Sequence, residues 1–148
     1  MSDHLPYTNA WVFTAIAGTR LTPGPGLTLP EVLGAADFAN KAAISKNEFE
    51  HAVRDLMNAG LINIVSGTFL PSDAGRAIWE PVWREYWKEY TKTFRGNVIA
   101  NAEKRLRGIT CVAEKANWSL TGREWDDASA AYRAAIASKL EQIKRARR

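Results

Sequence analysis

The chain has 148 residues, 46% of them hydrophobic, and a formal net charge of +4, which suits one domain or a small domain with a helical extension. No apolar run approaches the roughly 20 residues that span a bilayer, and the first eight residues lack the basic and apolar segments of a secretory leader. The single cysteine, Cys111, can form neither an internal disulfide nor a cysteine cage for a metal, so a cytoplasmic protein is expected, with no membrane partner.

In chain order, the first expected helix runs from about Asn9 to Thr19, with Trp11, Val12, Ala15 and Ile16 as its apolar stripe. The stretch from Leu21 to Leu27 holds two prolines and two glycines and reads as a loop. Thr28 and Glu31 have the spacing of a capping box, and Pro30 is tolerated in a first turn. They open a second helix to about Phe38 or Ala39, which should bury Val32, Leu33 and Ala36, with Phe38 at the margin of that face and a turn over Asn40 to Ile44.

Ser45 and Glu48 form a second capping box. The helix behind it places Phe49, Ala52, Val53, Leu56 and Met57 on one face, and Gly60 stands where a left-handed C-cap belongs. Leu61 to Val65 is a short apolar strand, Ser66-Gly67 a tight turn, and Thr68 to Pro71 the returning strand. Ser72 or Asp73 caps a helix to about Phe94, which Pro81 can kink or divide. A further helix is expected over about Asn97 to Arg107. Residues 109–120 are ambiguous. Thr121 and Glu124 make a third capping box, opening a long last helix to about Arg145.

The order helix, helix, helix, hairpin, helix matches the winged form of helix-turn-helix. The segment from Ser45 to Ile62, ending Leu56-Met-Asn-Ala-Gly-Leu-Ile62, resembles the third helix and exit of bacterial MarR- and PadR-type regulators. The Pro71 to Gly75 exit resembles the start of their next helix. The resemblance covers roughly residues 9–80; the longer Pro/Gly loop after the first helix and the C-terminal half match no regulator pattern. It implies a mainly α fold, with a winged helix-turn-helix over residues 1–80 and a small β-hairpin wing; residues 81–148 are read from their own helical patterns as an extension that serves dimerisation.

In that resemblance the third helix enters the major groove. Its solvent face by periodicity is Asn47, Glu50, His51, Arg54 and Asn58. Lys46, Asn47, His51, Arg54 and Asn58 are then the candidate contacts to double-stranded DNA. The charges are unevenly placed for such a role. Residues 1–95 hold 9 Lys/Arg against 10 Asp/Glu, and residues 96–148 hold 11 against 6. Between Ser45 and Gly60 there are 2 basic and 3 acidic side chains, and the wing tip has no Lys or Arg. DNA affinity rests largely on phosphate neutralisation, which leaves Lys144, Arg145, Arg147 and Arg148 at the basic C-terminus as the remaining contacts.

Chemistry of other kinds is sparse. Glu48-Phe-Glu-His51 reads as one copy of E-x-x-H, where carboxylate metal sites need two. His4 lies in an expected frayed terminus, and Glu124, Asp126 and Asp127 suit a helix first turn. No phosphate loop, nucleophile elbow or dinucleotide fingerprint is present. No enzyme activity, cofactor or metal is expected. Trp79, Trp83 and Trp87, with Tyr86, Tyr90 and Phe94, form an aromatic stripe that suits core, dimer packing or a flat ligand pocket. Trp125, Tyr132, Ile136, Leu140 and Ile143 form a second stripe on the last helix, flanked by alanines, and an isologous homodimer through it is expected. The leading expectation is therefore a homodimeric DNA-binding transcription regulator. The alternative is a winged helix used for protein–protein contact, including with an acidic partner of the basic tail.

Overall fold

The computed structural model describes residues 6–18, 25–40, 42–93, 96–109 and 116–147. His4, the loop at 21–24, Phe94, Cys111 and Arg148 lie outside these described residues.

Helix α1 (Tyr7–Ala17) has no charged residue, and every position from Asn9 to Ala17 is buried. The expected single apolar stripe is thus too narrow: α1 is the central rod, packed against α2 (Leu29–Asn40), α3 (Lys46–Asn58), α4 (Asp73–Thr93) and α5 (Val98–Leu106). A helix apolar all round belongs in a core. Its buried Asn9 is satisfied by donating from Nδ2 to Asp55 Oδ2 on α3 at 2.9 Å.

Local signals set the ends of α3. Ser45 and Glu48 complete the capping box reciprocally. At the other end Gly60 turns left-handed, with Leu61 donating to the Leu56 carbonyl and Gly60 to that of Met57, each at 3.0 Å, the two bonds of a Schellman motif. Strands β1 (Ile62–Val65) and β2 (Thr68–Pro71) pair antiparallel, Ile64 opposite Phe69. Ser66 and Gly67 both have positive φ, as a two-residue type I′ turn requires. Leu27 adds a one-residue bridge to Phe69, tying the segment before α2 to the hairpin.

Ser72 joins the hairpin to α4: its hydroxyl donates to the Gly60 carbonyl at 2.6 Å and accepts from the Gly75 amide at 3.0 Å. Gly75 is required here, because a Cβ would lie 2.1 Å from the Leu61 carbonyl oxygen. Helix α4 runs through Pro81 without dividing. On α5, Ile99, Ala102 and Leu106 form the buried face against α1 and α4. The last helix, α6 (Gly122–Ala146), packs chiefly on α2. The architecture is mainly helical with one small antiparallel hairpin. The division expected after residue 80 falls inside α4, and side chains from both parts share one core. Among the described residues no helix is long and apolar enough to cross a membrane.

Candidate functional site

Helix α3 carries five of the residues expected to meet DNA, and the structure separates them. Asn47 and His51 are exposed, while Lys46, Arg54 and Asn58 are half-buried. Glu50, expected on the solvent face, is 7% exposed. It lies between the two cations of its own helix, hydrogen-bonded to Lys46 and 3.5 Å from Arg54. The reason is a cover absent from the periodicity of α3. Arg54 Nη1 donates to the Trp118 carbonyl at 3.2 Å, and Asn58 Oδ1 accepts from the Ala116 amide at 2.6 Å. Residues 116–120, which have no regular secondary structure, therefore lie along one flank of α3.

Aromatic packing holds that cover down. Phe49 meets Phe69, Trp118 and Trp125 at ring-centroid distances of 5.9, 6.2 and 5.6 Å, and Trp118 meets Phe69 edge-on at 5.8 Å. Trp125, expected in a dimer interface, is thus packed within the chain. Tyr132 is likewise engaged, donating its hydroxyl to Asp37 on α2. That bond, with some desolvation and the Asp37 charge, pushes the Tyr132 pKa up to about 12. The other three residues of the second stripe, Ile136, Leu140 and Ile143, are exposed.

The basic tail does not reach the start of α3 in this chain. Helix α6 meets Phe49 at Trp125, and at ~1.5 Å rise per residue Arg145 lies roughly 30 Å further along the axis. Lys144, Arg145 and Arg147 are exposed there, with Arg145 at 3.9 Å from Glu141 of its own helix. At the other end of α6, Thr121 donates its backbone amide to the Glu124 carboxylate, whose pKa is lowered by bonds to the Thr121 backbone and side chain.

The open apolar surface lies on α2. Phe38, the residue expected to be partly in the core, is 88% exposed. The buried residues Val32, Leu33 and Ala36 fix the helix rotation, and Phe38 is ~200° round the axis from Ala36, so it points outward. A groove lies on each side of it. One, of about 670 Å³, runs between α2 and α6 and includes Pro30, Gly34, Ala131, Ala135 and Ile136. Gly34 permits this approach: a Cβ there would come within 3.1 Å of the Tyr132 ring. The other, of about 640 Å³, runs between α2 and the tryptophans of α4.

No family model, curated protein or solved structure matches this chain. The site is therefore read from its own chemistry. Among the described residues no three His, Cys, Asp or Glu side chains gather into a metal-sized group. Glu48 is occupied in capping α3. The stripe on α4 is a ladder of near-parallel rings: Trp83 and Trp87 are 5.7 Å apart at 10°, and Trp87 and Tyr90 are 5.6 Å apart at 3°. Trp79 is buried in the core, whereas Trp87 is 50% exposed.

Two features of this surface differ from what helical periodicity suggests. Trp118 lies in the stretch left ambiguous, and its only signal is a large aromatic among small and polar neighbours. Phe38, at the margin of the expected buried face, is turned out by the helix rotation that Val32, Leu33 and Ala36 set.

Proposed function

We propose that this chain is a winged-helix protein-interaction module that self-associates through α2 and the C-terminal half of α6, rather than a reader of DNA through α3. The element order from α1 to α4, with Leu27 bridged to the hairpin, supports the winged-helix reading. The observation that carries the function is the bare apolar band formed by Phe38, Ile136, Leu140 and Ile143. On α6 these side chains continue the face that, nearer the N-terminus, is covered by α2.

A second copy fits that band. With a two-fold axis beside Leu140, the two tails lie antiparallel, and each Ile143 comes level with Ile136 of the other copy, near its Phe38. Lys144, Arg145 and Arg147 of one tail approach the α2 side of the other, where Glu31, Asp37 and Lys139 line the groove. By contrast, α3 presents little free positive charge, since Lys46 and Arg54 both face Glu50 and the wing tip is uncharged.

One observation favours the second reading, a DNA-binding transcription regulator: the tail cations Lys144, Arg145 and Arg147 are exposed, as phosphate contacts require. The deciding experiment is light scattering combined with an electrophoretic DNA assay in a salt series. The wild type should have the mass of a dimer, and Leu140→Asp that of a monomer, because an unpaired carboxylate costs several kcal/mol to bury. A wild-type monomer removes the self-association reading. Salt-dependent, sequence-selective DNA binding weakened by Arg54→Ala overturns the protein-interaction reading in favour of DNA.

A further inference from the structure

Residues 116–120 lie on the rest of the chain as an extended peptide lies on a receptor. The segment has no regular secondary structure, and its burial alternates: Ala116, Trp118 and Leu120 are half-buried, while Asn117 and Ser119 are exposed. A period of two belongs to an extended backbone, whose successive side chains point to opposite sides. Trp118 and Leu120 pack against the core. Two side chains of α3 take hold of the main chain. Asn58 Oδ1 accepts from the Ala116 amide at 2.6 Å, and Arg54 Nη1 donates to the Trp118 carbonyl at 3.2 Å. Arg54 is itself held by Glu50, 3.5 Å away.

These are the two parts of extended-peptide recognition: hydrogen bonds to the main chain give affinity, and contacts with alternate side chains give specificity. The receiving surface belongs to the body of the fold. Phe49 of α3 and Phe69 of β2 meet the Trp118 ring, and Trp125 of α6 also packs on Phe49. The far end of the segment is built to let go. Thr121 exchanges its cap bonds with Glu124, three residues on, so lifting residues 116–120 leaves the start of α6 intact.

We propose that the surface formed by α3 and the hairpin is a docking site for an extended segment of a partner protein, occupied in the free chain by residues 116–120 as an intramolecular competitor. The fitting segment carries an aromatic side chain at one position and an aliphatic one two residues later, as Trp118 and Leu120 do. A short tether gives the chain's own segment an effective concentration of about millimolar, so a partner displaces it only with further contacts of its own. The site lies apart from Phe38, Ile136, Leu140 and Ile143, and it does not rest on self-association.

The test uses the full chain, isotope-labelled, and a capped synthetic peptide with the sequence of residues 116–120, followed by NMR shifts. Trp118→Ala vacates the site. Its affinity for the peptide should exceed that of the wild type by about tenfold or more, because the competitor is lost. The largest shifts should fall at Arg54, Asn58 and Phe69, and the peptide should raise the melting temperature of the variant. A peptide with alanine in place of its tryptophan should do neither. Adding Arg54→Ala to Trp118→Ala should weaken the peptide by about fivefold, the signature of one lost hydrogen bond. If Trp118→Ala fails to fold, Ala116→Pro decides the matter alone. It removes the amide that Asn58 accepts from, leaves α3 untouched, and should tighten the peptide by about fivefold over the wild type. A folded Trp118→Ala variant without saturable peptide binding, equal affinity for the two peptides, or variants that bind no better than the wild type overturn the proposal. In those cases residues 116–120 only pack the fold.

Discussion

Helices α2 and α3 exchange the roles their sequences suggest. Helix α3 has a strong two-faced pattern, and its polar face looks available, yet residues 116–120 lie along one flank and Glu50 is enclosed between Lys46 and Arg54. Helix α2 looks like a simple core helix, yet it turns Phe38 outward between two grooves. A polar helix face is free only if no other part of the chain needs it. An apolar side chain is buried only if the helix rotation set by its neighbours brings it inward.

The sharpest way to break this contrast is to remove the cover of α3. Trp118→Ala deletes its edge-on contacts with Phe49 and Phe69. It should cost about 2–3 kcal/mol in urea denaturation, below the ~3–5 kcal/mol of a fully buried tryptophan because Trp118 is only half-buried. Hydrogen exchange should then rise along residues 116–120. A loss under 0.5 kcal/mol would show that the cover contributes little to closing α3.

A smaller effect is expected where α6 clasps α2. Tyr132→Phe removes the hydroxyl bonded to Asp37 and should cost about 1 kcal/mol, the usual net value for one partly exposed hydrogen bond. The pH dependence has a definite sign. The pKa of Tyr132 is raised in the folded protein, from an ordinary 10.0 to about 12. Its contribution is therefore complete below the unfolded value and is lost as pH rises through the folded one. Ultraviolet titration of the phenolates should show an ionisation near 12 that is absent from Tyr132→Phe; a wild type without it contradicts the clasp.

The smallest expected change in stability is at Phe38. Phe38→Ser should alter the melting free energy by no more than about 0.5 kcal/mol, because the side chain is 88% exposed. Its effect should appear in association instead: the dimer proposed above should weaken while the monomer fold persists. A large loss of stability in a monomeric background would return Phe38 to the core and restore the ordinary reading of α2.

Much of the fold was legible from residues close together in sequence. The capping boxes at Ser45 and Thr121, the Gly60 terminus and the Ser66-Gly67 turn depend on backbone groups within a few residues. Such signals fix where an element starts, stops and reverses. Tertiary structure decided which surfaces remain open, because those contacts join distant parts of the chain. Arg54 meets Trp118 across 64 positions, and Tyr132 meets Asp37 across 95. No helical or strand period encodes such a pairing. The burial of Glu50 and the exposure of Phe38 follow from how the helices are rotated and covered once they pack around α1. Hydrophobic burial is non-directional, so the sequence specified an apolar supply, and the assembled helices determined which part of it stayed in water.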